Sequence, residues 1–464
     1  MHTNWLIRNA SAILTGLSDD QARHAGPDIR VVDGRIAALG VLEPQAGEAV
    51  INARDCVVYP AWVNTHHHLF QSLLKGEPQG LNQTLTPWLA ATPYRFRGAF
   101  DEESFRLAAR IGLVELVRSG CGTVADHHYL YYPGMPFDSA AILFEEAEAL
   151  GLRFVLCRGG ATQTRQLEAD LPQALRPERI ENYLADVERL VASYHDPAAD
   201  AWRRVVMAPT TTLHSTTPEE LRLIADVARS LGIRLHSHLS ETVDYLDAAR
   251  TKFGMTPVQF CAEQGWVGSD VWFAHLVKLL PEEIRLLGET GTGIASCPQS
   301  NGRLGSGIAD LPALEAAGVA VSLGVDGAAS NEAADMQSEA HAAWLLQRAR
   351  KGEQAQPRYD GGPSKAVPMP PASRTCCAGE LRAVPRFWGW TPSVRCRSAR
   401  LRTWPSTVST IHAISDCTIR PSGRSPAAVA PICRRCWSVG DGWSKTMSFR
   451  ASIRLNWDAA RAKP

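Results

Sequence analysis

The sequence predicts an α/β fold: a (β/α)8 barrel of the TIM type, preceded by a small N-terminal β-sandwich domain. Three observations carry this. Short apolar runs and amphipathic stretches alternate through eight units after Ala61. The residues before them read as strands. Histidines and carboxylates gather where the apolar runs stop, and a barrel of this type places its active site at the C-terminal strand ends.

In residues 1–60, "IRVVDGRIAAL" has two β-rich arms around Asp33-Gly34, a strong two-residue hairpin signal. The apolar runs that follow are 61–66, 122–127, 153–159, 204–209, 233–238, 271–275, 292–297 and 319–325. Between them lie stretches such as "PEELRLIADVARSLG" and "PEEIRLLGETG". Each opens on Pro-Glu-Glu and closes near Gly, as helices do. The expected division is 1–60 small β domain, 61–362 barrel and 363–464 an atypical tail.

The chain has 464 residues, 45% hydrophobic and 21% charged, which suits a soluble enzyme. No apolar run is long enough for a bilayer, and the N-terminus lacks a basic start followed by an apolar segment. A cytoplasmic location with no membrane partner is expected. The 11 cysteines show no repeated CxxC pairs and read as mostly thiols. The net charge of zero hides an asymmetry: residues 353–464 hold 18 Lys/Arg against 6 Asp/Glu, and the rest of the chain 30 against 42.

The first apolar run ends in His66-His67-His68. Side chains alternate along a strand, so His66 and His68 should point one way and His67 the other. The fifth run ends in "LHSHLSE", with His236, His238 and Glu241; the sixth ends in His275; the eighth leads into "GVDGAASN", with Asp326. A single histidine of this kind is ordinarily a hydrogen-bonded core residue. Four such strand ends at one rim point instead to a metal site. Imidazole and carboxylate suit a borderline divalent ion such as zinc. An ion with an open position makes bound water acidic enough to supply hydroxide near neutral pH, and a nearby carboxylate can then move protons.

"VNTHHHLFQ", "HSHLSET", "WFAHLVKL", "SCPQSN" and "GVDGAASN", in that order, resemble the amidohydrolase superfamily, in its guanine, cytosine and 8-oxoguanine deaminase branch. The likeness runs to about Gly362. It implies that His66, His68, His238 and Asp326 bind the metal. It implies that His275 hydrogen-bonds the attacking hydroxide, that Glu241 delivers a proton to the ring nitrogen beside the attacked carbon, and that Asp326 also accepts the proton of the water. His67 and His236 then face the barrel wall. The usual Pro-Gly before the histidines is Pro60-Ala61 here. Binuclear members carry a carboxylated lysine at the end of strand four; this region reads "RVVMAPTTTLHSTT" and has none. One divalent metal ion is therefore expected, Zn2+ first and Fe2+ as the alternative.

"HHHLFQSLLKG", "DHHYLYYPG", "KFGMTP" and "RLGSGIA" resemble 8-oxoguanine deaminases, triazine hydrolases and, most nearly, the isoxanthopterin (pterin) deaminases. The expectation is hydrolytic deamination of a 2-amino-4-oxo fused heterocycle, with 8-oxoguanine, guanine or a hydroxyatrazine-type triazine as alternatives. Gln71 offers a donor and an acceptor for the amide edge of such a ring; the competing reading is a solvent-facing helix residue. His128, Tyr129 and Trp88 are candidates for the pocket wall or for packing. The resemblance leaves a homo-oligomer open.

The tail is rich in Arg, Pro, Ser, Cys and Trp and lacks sustained helical periodicity. With suitable third bases, a reading frame starting one base earlier can encode, in order, a helix, an Ala-Asp-Leu strand and a Gly-Gly hairpin. The tail therefore reads as frame-shifted, unable to complete the small β domain, and the inactive product of a damaged frame is the rival of another class. Nucleic-acid binding by a basic tail is the disfavoured reading. "CRRC" at 433–436 has no partner pair and is not taken as a zinc site.

Overall fold

A computed structural model describes residues 4–14, 25–165, 168, 171–354 and 411–415. Six strands come first: β1 (Asn4–Arg8), β2 (Ala12–Ile13), β3 (Asp28–Val32), β4 (Arg35–Gly40), β5 (Ala49–Asn52) and β6 (Cys56–Pro60). Asp33 and Gly34 both take positive φ, 48° and 73°, the geometry of the expected hairpin turn between β3 and β4. One sheet runs β4-β3-β1-β5. Ile7, Ile29 and Val31 of this sheet pack with Ile13 of β2 and Val58 of β6 in one small core.

Eight strands follow: β7 (Trp62–Asn64), β8 (Cys121–His128), β9 (Arg153–Arg158), β10 (Arg203–Met207), β11 (Leu235–Leu239), β12 (Val271–His275), β13 (Gly293–Ser296) and β14 (Ala320–Leu323). They pair in chain order, every pair parallel. The ring closes between its last and first strands. Thr65 N donates to the Leu323 carbonyl at 3.1 Å and Asp326 N to the His66 carbonyl at 3.0 Å. Closure thus passes through the residues singled out for chemistry. The strand positions agree with the sequence reading to within a few residues. The first is shorter than expected: β7 stops at Asn64, whose Oδ1 accepts from Val325 N at 3.0 Å.

Ala125, Val155, Cys157, Val206, Ala208, Trp272, Ala295 and Ala320, all from or beside the strands, form one inner cluster. Trp272 is its largest member, and its Nε1 donates to the Thr65 carbonyl at 3.2 Å. The helix over Pro218–Ser230 buries Leu221, Ile224, Ala225 and Ala228 on one stripe. Thr217 and Glu220 cap it reciprocally: Glu220 N donates to Thr217 Oγ1, and Thr217 N to Glu220 Oε2. The helix over Pro281–Thr290 ends on Gly291 at φ 72°, the left-handed stop that glycine permits.

No helix among the described residues is long and apolar enough to cross a membrane. Most of the tail, with its six cysteines and the "CRRC" pair, lies outside the described residues. One piece is described: β15 (Ile411–Ser415) pairs antiparallel with β6, forming the sheet β15-β6-β2.

Gly324 marks a close contact between scaffold and site. A Cβ there would lie 2.6 Å from His66 Cβ and 2.9 Å from the His66 carbonyl oxygen. Gly324→Ala is expected to cost about 1–3 kcal/mol through overpacking, read as a lowered thermal midpoint. Gly302→Ala, whose Cβ would meet nothing within 4 Å, should leave the midpoint unchanged or slightly higher.

Candidate active site

The ends of β7, β11, β12 and β14 bring six expected residues together, His66, His68, His238, Glu241, His275 and Asp326, and hydrogen bonds fix what each ring nitrogen can offer. His66 Nδ1 lies 2.8 Å from His236 Nε2. His236 Nδ1 lies 2.9 Å from the Trp272 carbonyl and must donate to it. His236 Nε2 then has only a lone pair, so the proton between the rings belongs to His66 Nδ1. His66 Nε2 is left as a lone pair, buried and without a hydrogen-bond partner.

The same logic applies twice more. His68 Nδ1 donates to the His127 carbonyl at 2.7 Å, and His238 Nδ1 to the Thr210 carbonyl at 2.6 Å. Their Nε2 atoms, both acceptors, stand 3.2 Å apart. Asp326 Oδ1 lies 3.1 Å from His68 Nε2 and 3.4 Å from His66 Nε2. Burial holds the His66 imidazole down to about 3 and those of His236 and His238 well below their ordinary value, so these rings stay neutral. Three lone pairs and a carboxylate oxygen converge with no proton to share. A divalent cation relieves that arrangement, and three imidazoles with one carboxylate are a donor set suited to zinc. Ligand atoms of His66, His238, His275 and Asp326 all lie within 4.8 Å of one another, as do those of His66, His68, His127 and His238.

His275 Nδ1 donates to Asn301 Oδ1 at 2.9 Å, so its Nε2 presents a lone pair, 3.6 Å from Glu241 Oε2. Glu241 Oε1 accepts from Ser306 Oγ at 3.0 Å. Burial pushes the Glu241 carboxyl above its ordinary value. Asp326 Oδ2 accepts from Ser300 Oγ at 2.6 Å. Ser240, His275 and Asp326 have φ of 51°, 75° and 59°. Non-glycine residues seldom adopt such values, and they gather at functional sites.

Gln71, on the short 3-10 helix Leu69–Leu73, is buried rather than solvent-facing. Its Nε2 donates to Tyr129 Oη at 2.8 Å, and its Oε1 is buried without a partner. Gly327 makes room for it, since a Cβ there would fall 1.8 Å from Gln71 Oε1. Trp88 packs in the core, and His128 is buried with neither ring nitrogen hydrogen-bonded.

Two sequence expectations change in detail. His236 does more than face the wall: it stacks on Trp272 at 4.4 Å between centroids and sets the tautomer of His66. His67 leaves the cluster, as alternation predicts, yet its Nδ1 donates to the Asp326 carbonyl at 2.5 Å. Sequence reasoning gave no task to Ser300, Asn301, Ser306 or His127. "SCPQSNGRLGS" and "DHH" were the available signals. In place of a lysine, the end of β10 supplies the Ala208 and Thr210 carbonyls, which accept from His127 and His238.

His236→Phe keeps an aromatic ring against Trp272 but removes the acceptor for His66. It should weaken divalent-ion binding by ~10–100-fold, read by chelator competition.

The Amidohydrolase family model matches residues 57–369. An isoxanthopterin deaminase from an unknown prokaryotic organism is 69% identical over 360 residues, covering 77% of this chain and 75% of that protein. The 8-oxoguanine deaminase of Pseudomonas aeruginosa is 41% identical over 355 residues, covering 76% and 77%. The crystal structure of an amidohydrolase from an environmental sample of the Sargasso Sea superposes with a TM-score of 0.72 at 53% identity, covering 89% of this chain and 84% of that one.

Proposed function

This chain belongs to the amidohydrolase family, and from that premise we propose that it is a metal-dependent deaminase of a pterin, with isoxanthopterin as its substrate. The observation that carries the substrate is the 69% identity to a protein named isoxanthopterin deaminase. The chemistry is supported by the site itself, where acceptors for one cation lie beside a buried carboxylate. The reaction replaces an exocyclic amine by oxygen: the oxygen of water bonds to the ring carbon, and ammonia leaves with the carbon–nitrogen pair.

His66, His68, His238 and Asp326 would hold one divalent ion, zinc by the chemistry of the donors. When bound, such an ion supplies the Lewis acidity that brings the pKa of water toward ~7. Asp326 accepts the proton of the attacking water; Ser300 fixes its second oxygen so that the first faces the imidazoles. His275, oriented by Asn301, turns its Nε2 lone pair toward the same space and positions the water. Glu241, held by Ser306, carries a proton to the ring nitrogen next to the attacked carbon. Burial favours the protonated carboxyl that this delivery needs. Gln71, anchored through Tyr129, keeps its unpaired Oε1 to accept from a ring amide N–H.

Steady-state ammonia release on isoxanthopterin, 8-oxoguanine, guanine and hydroxyatrazine tests the substrate. The highest kcat/KM should fall on isoxanthopterin; activity confined to the triazine would refute the pterin reading. Glu241→Gln should lower kcat by ~10²–10⁴-fold with bound metal retained. Gln71→Ala should act mainly on KM, by about 5–30-fold for one lost hydrogen bond.

A further inference from the structure

His127, near the end of β8, is fully buried, and the mechanism above assigns nothing to its ring. Its Nε2 lies 2.8 Å from the Ala208 carbonyl and must donate to it, so Nδ1 keeps a lone pair. That nitrogen is buried and has no hydrogen-bond partner among the described residues. A buried acceptor without a donor is uncommon and costly. The ring centroid of His127 lies 4.6 Å from that of His238, 5.5 Å from His66 and 5.6 Å from His68. One ring nitrogen from each of these four histidines falls within 4.8 Å of those of the other three. Since the Nε2 atoms of His66, His68 and His238 are acceptors too, none of these rings can donate to His127.

We infer that His127, through Nδ1, is an additional ligand of the cation held by His66, His68, His238 and Asp326. The residue then serves the site twice. Its carbonyl fixes the tautomer of His68, and its ring adds a fourth imidazole. The competing role is a strut, in which the ring matters only for its bond to Ala208. The inference rests on the reading that this cluster binds a divalent ion.

Two variants of the full chain separate the roles. Gln places a donor nitrogen where His has Nε2, so His127→Gln preserves the bond to Ala208 and removes the Nδ1 acceptor; His127→Phe removes both. Each metal-free protein is titrated with cobalt(II) against a competing chelator, and its visible ligand-field spectrum is recorded. A ligand role predicts that His127→Gln loses affinity by ~10-fold or more, with a changed spectrum and a metal-free melting temperature equal to the parent's. Parent affinity and spectrum in His127→Gln would overturn the inference, whatever His127→Phe does. Should the parent itself take up no cobalt, the cation reading falls and this inference falls with it. Should His127→Phe fail to fold, the Gln variant decides alone.

Discussion

Three imidazole lone pairs and one carboxylate oxygen are held within a few ångströms of one another, and the molecule around them is built to keep them there. None of these groups can turn away. The second nitrogen of His66 is tied to His236, that of His68 to the His127 carbonyl and that of His238 to the Thr210 carbonyl. The second oxygen of Asp326 is tied to Ser300. Each tie spends the available proton on the scaffold and leaves an acceptor facing inward. A site made this way is preorganised for a cation, because the cost of gathering the ligands is met during folding.

The barrel makes the gathering possible. Closure between β14 and β7 sets Asp326 against His66 and His67, and Gly324 lets the two segments approach more closely than any side chain would allow. Beneath them Trp272 supports His236 through its ring and accepts from it through its carbonyl. Left-handed backbone at Ser240, His275 and Asp326 turns the chain sharply where the strands end. Such conformations persist only where surrounding structure over-determines them. A second glycine, Gly327, makes the same kind of room for the buried Gln71 amide beside the cluster.

Much of this was legible in the sequence. The alternation of apolar runs and Pro-Glu-Glu helices gave the barrel, and Asp33-Gly34 gave the hairpin. The histidines and the aspartate stood at the ends of runs, which is where a barrel puts its chemistry. The supporting groups were not legible, for a physical reason. His236 acts through a nitrogen-to-nitrogen bond with a residue 170 positions away, and Asn301 orients His275 from the following unit; no periodicity reports either. The burial of Gln71 likewise depends on Tyr129 and Gly327, contributed by other strands' loops. In the tail, the composition suggests a strand set lost from the small domain; the single described piece, Ile411–Ser415 against β6, does not test that expectation. Backbone pairing needs extended chain more than any particular pattern of side chains.

The central claim is that these acceptors hold one divalent cation. X-ray absorption at the metal edge, combined with elemental analysis of the purified full-length chain, tests it most directly. One equivalent of metal with a shell of nitrogen and oxygen, including imidazole scattering, is the predicted result. A protein that retains no metal after equilibration with zinc, or one whose metal shows a sulfur shell from cysteine, would contradict the account.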